Sequence, residues 1–273
     1  MVVRDLKDGS SIVSTQEDHA ELSAQFAAHW GNKKFSKLRP YESMVFATTY
    51  HDSGYREWEG NPPVNLAKGR PYAHREDVPS FETVELQAYQ RNVEWIRSHD
   101  RYAALLVSMH RTGLWQNRYQ TFTTPKGRLR ERSPEIKAVM KEMEAKQQEE
   151  KNSLGAGSPK FQDELWFNYR ALQIYDLLSL YFCCDGYTQE DGFKEDLLAP
   201  IRLAYDSPDE VELRIIPTGP RSVRMDPYPF DVSPLKVSVR ARTIPPGNYG
   251  SEEAGLEAYH KAPRQLLSFE ITS

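Results

Sequence analysis

Apolar positions recur at three- and four-residue spacing through most of the chain and change to alternation towards its end, which predicts a helical body followed by strands. The opening VVRDL-KDG-SSIV reads as a short hairpin over 1–13, with Asp8-Gly9 as the turn signal. Ser14 or Thr15 then caps a helix, with Glu17 or Asp18 placed for a capping box, and that helix runs through QEDHAELSAQFAAHW to Gly31. Its apolar stripe is Leu22, Phe26 and Trp30, with His19 on the same face. Pro40 opens a second helix, YESMVFATTYHD, closed by Ser53-Gly54, and a loop rich in Pro, Gly and Asn follows over 55–79. Ser80 caps a third helix, FETVELQAYQRNVEWIR. The next, RYAALLVSMHRT, is apolar almost all round and reads as a central buried helix ended by Gly113. Residues 133–151 form a charged helix with a thin stripe of Ile136, Val139, Met140 and Met143 and no visible chemistry. Ser158-Pro159 opens a strong helix, FQDELWFNYRALQIYDLLSLYFCC. Beyond 206, VELRIIP, SVRMD, LKVSVRARTI and QLLSFEI are β-type runs set between prolines and glycines.

These elements predict a mainly α fold in one domain, 1–273: a helical bundle over 14–206 and a small antiparallel β-sheet from the strands of 207–273. The hairpin at 1–13 is a further candidate for that sheet. Hydrophobic residues at 39% and aromatics at 11% suffice for a core. A net charge of −4 argues against a general nucleic-acid binder, so the basic run KGRLRER at 126–132 reads as a solvated loop. The chain shows no basic-then-apolar leader and no apolar run of membrane length. Its two cysteines, Cys183 and Cys184, read as small buried residues. The expected protein is cytoplasmic and binds neither nucleic acid nor membrane.

Chemistry gathers around TTYHDSGY. Helical spacing sets Met44, Thr48 and His51 on one ridge and Val45, Thr49 and Asp52 on the next, so His51 and Asp52 can both leave the inner face at the last turn. The dipeptide alone is better explained by turn and helix-end hydrogen bonds. A second such pair, His99-Asp100, falls between two helices, where Asp100 is an ordinary N-cap. Asp176 is different. It lies inside ALQIYDLLSLYF, where an unpaired carboxylate would cost several kcal/mol, roughly, and so calls for a cation, a metal or a protonated histidine. His19 and His110 each sit on the apolar face of a helix, and each taken singly is better explained as a hydrogen-bonded core histidine. Together the order is His, His-Asp, His, Asp, each on its own helix. Imidazole and carboxylate suit Mn, Fe, Co, Ni or Zn.

In this order the sequence resembles the HD-domain superfamily of metal-dependent phosphohydrolases over about 14–185. QEDHAELSAQFAAHWG, YHDSGYREWEG, LLVSMHRTGL, LQIYDLLSLYFC and MDPYPFD look more closely like an uncharacterised bacterial family with HD-like residues. The resemblance implies an HD-like helical bundle with one or two divalent transition metal ions held by His19, His51, Asp52, His110 and Asp176. His74 is a spare ligand whose loop setting suggests exposure. It implies a hydrolase acting on a small phosphorylated substrate or nucleotide through metal-activated water. Asp52, Arg111 and Gln173 are the candidate catalytic residues: Arg111 as a donor to the leaving phosphate, with Arg56 as a weaker second, and Gln173 to orient Asp176 or a water. Asp18, beside His19, is a supporting group or simply part of the capping box. The motif departs from many members in having Tyr55 after Gly54. A di-iron HD-type oxygenase and a non-catalytic metal-binding or structural protein are the alternatives.

Overall fold

The computed structural model describes residues 1–78, 81–116, 132–155, 158–188 and 192–273. The hairpin forms, with β1 (Val2–Asp5) antiparallel to β2 (Ser11–Ser14). Thr15 caps α1 (Gln16–His29) through a reciprocal capping box with Asp18. α2 (Tyr41–Tyr50) follows Pro40, and a tight 3-10 turn over Ser53–Tyr55 leads into the short α3 (Arg56–Gly60). A two-stranded ribbon of β3 (Val64–Asn65) and β4 (Arg70–Pro71) precedes α4 (Phe81–His99) and α5 (Arg101–Trp115). Asp100 caps α5 by accepting from Ala103 N–H. That helix runs past Gly113, where the glycine serves close packing rather than a helix end: an added Cβ would lie 1.9 Å from the Tyr169 hydroxyl. α6 (Pro134–Leu154) is the charged helix, and α7 (Pro159–Leu180) ends in a wider π turn over Tyr181–Asp185. Ser80 and most of the KGRLRER run lie outside the described residues.

The expectation of a helical bundle with a small sheet is wrong. Helix makes up 49% of the molecule and strand 23%, and seven strands curl into a mixed half-barrel. The strands are β5 (Asp196–Arg202), β6 (Glu210–Gly219), β7 (Ser222–Asp226), β8 (Leu235–Ile244) and β9 (Arg264–Thr272), joined by the N-terminal hairpin in the order β1-β2-β8-β9-β7-β6-β5. β7 and β9 run parallel and the remaining neighbours antiparallel, so the sheet is not purely antiparallel either. Three strands extend it at its two sides: the hairpin of β1 and β2 joins through β2 to β8, Ser11 opposite Ile244, and β5 rises from within the segment expected to be helical. α8 (Glu252–Lys261) interrupts the strand-rich tail.

Alternation explains why the sheet belongs to the main body. Leu235, Val237, Val239 and Ala241 of β8 point inward, while Lys236 and Arg240 face out. Leu213 and Ile215 of β6, with Phe269 and Ile271 of β9, join the same apolar core as Leu22 and Phe26 of α1 and Leu172 and Leu178 of α7. One core thus lies between the curled sheet and the helices. α1 packs against β8, α2 and α7, and α5 touches α2 and α7, which brings the inner faces of those helices together. Among the described residues, no helix is long and apolar enough to cross a membrane.

Candidate metal centre

His51 is the last residue to follow α2, and Asp52 leaves helical geometry to start the 3-10 turn. The turn is clamped against α4. Asn92 donates to the carbonyls of Tyr50 (2.9 Å) and His51 (3.1 Å) and accepts from Ser53 Oγ at 2.7 Å. Gly54 is required there, since a Cβ would lie 2.2 Å from the Ala88 carbonyl oxygen. His51 and Asp52 are thus set in place by α2 on one side and α4 on the other.

The structure brings His19 of α1, His51, Asp52, His110 of α5 and Asp176 of α7 into one buried cluster. His19 Nε2 is 3.1 Å from Asp52 Oδ2 and its Nδ1 is 3.7 Å from Asp176 Oδ1. His51 Nε2 is 3.5 Å from Asp176 Oδ1 and 3.9 Å from Asp52 Oδ2, so both carboxylates flank that nitrogen. His110 Nε2 is 3.9 Å from Asp176 Oδ2, and its ring meets that of His51 edge to face, 5.0 Å between centroids. Two ligand sets have their donor atoms within 4.8 Å of one another: His19, His51 and Asp176, and His51, Asp52 and His110.

Hydrogen bonds behind the rings fix which nitrogen carries a lone pair. The Thr48 carbonyl can only accept, so His51 Nδ1–H donates to it at 2.8 Å and Nε2 is the nitrogen left to bind a proton or a metal ion. Ser179 gives its own hydrogen to the Asp176 carbonyl, 2.7 Å, so its Oγ accepts from His19 Nδ1–H at 2.8 Å. His19 Nε2 lies at hydrogen-bond distance from Asp52 Oδ2, 3.1 Å, and because a carboxylate oxygen only accepts, a proton or a metal ion must lie between the two. His51 Nε2 is buried with no hydrogen-bond partner. Lone pairs of two imidazoles and oxygens of two carboxylates converge on one spot, and a positive species must sit among them, either protons or a metal ion. The donor set fits a divalent transition metal.

Titration follows the same electrostatics. Burial alone would discharge His51, but the charge of Asp52 and then that of Asp176 outweigh it and raise its pKa to about 9. Burial opposes the charge on Asp52 too, yet His51, His19 and Arg111 hold it well below the usual carboxylate range. Asp176 is lowered in the same way by His51 and His110 against its burial. His110 is pushed down to about 4, chiefly by burial.

Of the other residues expected at the site, Arg111 is there: its Nη2 is 3.5 Å from Asp52 Oδ1. Gln173 does not orient Asp176. Its Oε1 accepts from Arg170 at 3.0 Å, and its buried Nε2 makes no hydrogen bond. Arg56 is exposed and bound to Glu17, and Asp18 serves the cap of α1 and pairs with Arg264. His74 is less exposed than its loop suggested. Both its ring nitrogens are shielded and without hydrogen-bond partners, and burial, then Arg75, lower its pKa to about 3, but it belongs to neither ligand set.

Tyr89, Asn92, Glu85, Thr48 and Ser179 are the contributors that sequence reasoning missed. The Tyr89 hydroxyl donates to Asp52 Oδ1, opposite the oxygen that faces the histidines. A signal existed in α4: Glu85, Tyr89 and Asn92 fall at four- and three-residue spacing, three polar groups on a face that otherwise buries Ala88 and Ile96. No curated protein and no solved structure matches the chain. A family model does, over residues 1–246, and the chain therefore belongs to the family described as "Protein of unknown function (DUF3891)".

Proposed function

We propose that the protein is a metal-dependent hydrolase acting on a small phosphorylated substrate or nucleotide. The observation that carries the reading is the pair of imidazole Nε2 atoms aimed, with two carboxylates, at one buried spot, each with its Nδ1 held by a hydrogen bond behind the ring. His19, His51, Asp52, His110 and Asp176 are the residues that would hold the ion. When bound, a divalent metal supplies a water nucleophile at neutral pH and polarises a phosphoryl oxygen. Thr48 and Ser179 keep the two imidazoles in the ligating tautomer. Tyr89 and Arg111 occupy Asp52 Oδ1, so Oδ2, which faces the histidines, is the oxygen that would hold the ion. The order His, His-Asp, Asp along the chain, similar to that of the HD-domain superfamily, supports the same reading.

Elemental analysis of protein purified without added metal tests it first. A stoichiometric transition metal is expected in the parent and none in His51→Ala; metal-free protein that stays metal-free in the presence of Mn, Fe, Co, Ni and Zn would refute the reading. Near-complete burial of the cluster favours one other reading, an ion held for structure alone. Metal-loaded protein that releases no phosphate from any phosphomonoester or nucleotide would decide for that alternative.

A further inference from the structure

Beside Asp52 lies a second charged group that the ligand set leaves unused. Glu85 of α4 and Arg111 of α5 are buried, and Arg132 comes down on them just ahead of α6. Arg111 Nη1 donates to Glu85 Oε1 at 2.8 Å, and Arg132 Nη1 stands 3.6 Å from Glu85 Oε2. One carboxylate thus faces two guanidiniums. Arg111 also reaches Asp52 Oδ1, at 3.5 Å, where the Tyr89 hydroxyl already donates.

Both arginines keep donors in reserve. Their Nε–H groups are shielded from solvent and have no hydrogen-bond partner. Buried donors are normally paired, so two orphans on neighbouring guanidiniums point to an acceptor-rich ligand. The Arg111 fork is oriented before any ligand arrives, because its Cζ lies 3.1 Å from the centroid of the Tyr89 ring. Arg132 is the more accessible side chain, 18% against 6% exposed. Paired guanidiniums match an oxyanion that offers several oxygens at once.

We infer that Arg111 and Arg132, spread on Glu85, form the subsite for the phosphoryl group of the substrate. That identity of the anion rests on the hydrolase reading above; the subsite itself rests on the arginine geometry. Glu85 has the opposite effect to the arginines. It aligns them, and its charge competes with the anion for the same N–H groups.

The test is calorimetric titration of inorganic phosphate into the metal-loaded protein, Arg132→Gln and Glu85→Gln, with metal content and circular dichroism recorded on each sample. Arg132→Gln is expected to bind phosphate about tenfold more weakly, as loss of one charge-assisted hydrogen bond would give. Glu85→Gln is expected to bind it severalfold more tightly, a sign that a merely structural Glu85 would not produce. Folded, metal-loaded Arg132→Gln with parental affinity would overturn the inference, as would weaker binding by Glu85→Gln or no phosphate binding by the parent. If the parent proves free of metal, the hydrolase reading falls alone, and a phosphate affinity lowered by Arg132→Gln still upholds the subsite.

Discussion

Arg70 of β4 is as buried as Arg111, and it too is surrounded by carboxylates. Its Nε and Nη2 donate to Asp5 at 2.8 Å each, its Nη1 and Nη2 to Glu76 at 2.7 and 2.9 Å, and its Nη1 again to the Pro71 carbonyl at 2.9 Å. All the donors a guanidinium carries are engaged. Arg111 makes one tight bond and one long one and leaves its Nε orphaned, next to imidazole nitrogens that face carboxylates. The first cluster is complete by itself and ties the β3-β4 ribbon to the hairpin. The second is electrically unfinished, and what would finish it is a cation among the acceptors and an anion on the donors. Burial and charge do not separate the two; satisfaction does.

Removing Arg70 should give the largest effect. Arg70→Met leaves Asp5 and Glu76 facing each other without their shared cation, and we expect a loss of about 3 kcal/mol in urea denaturation with metal content unchanged. A loss under about 0.5 kcal/mol, the scale of an ordinary surface change, would remove the contrast.

The basic limb of a pH series should separate the two clusters. His51 is raised to about 9 in the metal-free protein, so its contribution is full below the ordinary histidine range and is lost as pH rises through about 9. Metal-free protein should therefore lose on the order of 2 kcal/mol between pH 6.5 and 9, a loss absent from His51→Ala. Asp5 is held below the usual carboxylate range by the hydrogen bonds from Arg70, so its contribution is present at neutral pH and disappears on acidification. Denaturation series at fixed ionic strength would show both limbs; a flat basic limb would speak against the charge reading of His51.

Ser179→Ala is the finest of these tests. It removes the acceptor that fixes His19, and metal affinity should fall about tenfold while unfolding of the metal-free form changes little. Unchanged affinity in competition with a chromophoric chelator would mean that the tautomer of His19 is set elsewhere.

Much of the cluster could be read in the sequence because imidazoles and carboxylates stand out on apolar helix faces, as His19 does among Leu22 and Phe26. Their supporting groups could not. Ser179 and Thr48 are unremarked residues of helices until the fold sets them against a ring, and Ser179 meets His19 across 160 positions of chain. Arg132 belongs to a run that reads as solvated, and only its approach to Glu85 gives it a part. The sheet was undersized for a similar reason. DLLAPIR carries a proline that obscures alternation, and β5 pairs only because β6 lies beside it, with a register shift between Leu198 and Ile201 next to that proline. The pairing of Ser11 with Ile244 leaves no local trace at either end.

That last pairing bears on how the molecule comes into being. β2 is made before α1 to α7, yet its neighbour β8 emerges only after those seven helices, and β9, which lies between β8 and β7, later still. The hairpin must wait with one edge open, and contacts so distant along the chain form slowly. Chains halted before residue 235 would carry every cluster ligand and none of the strand that joins the first hairpin to the half-barrel.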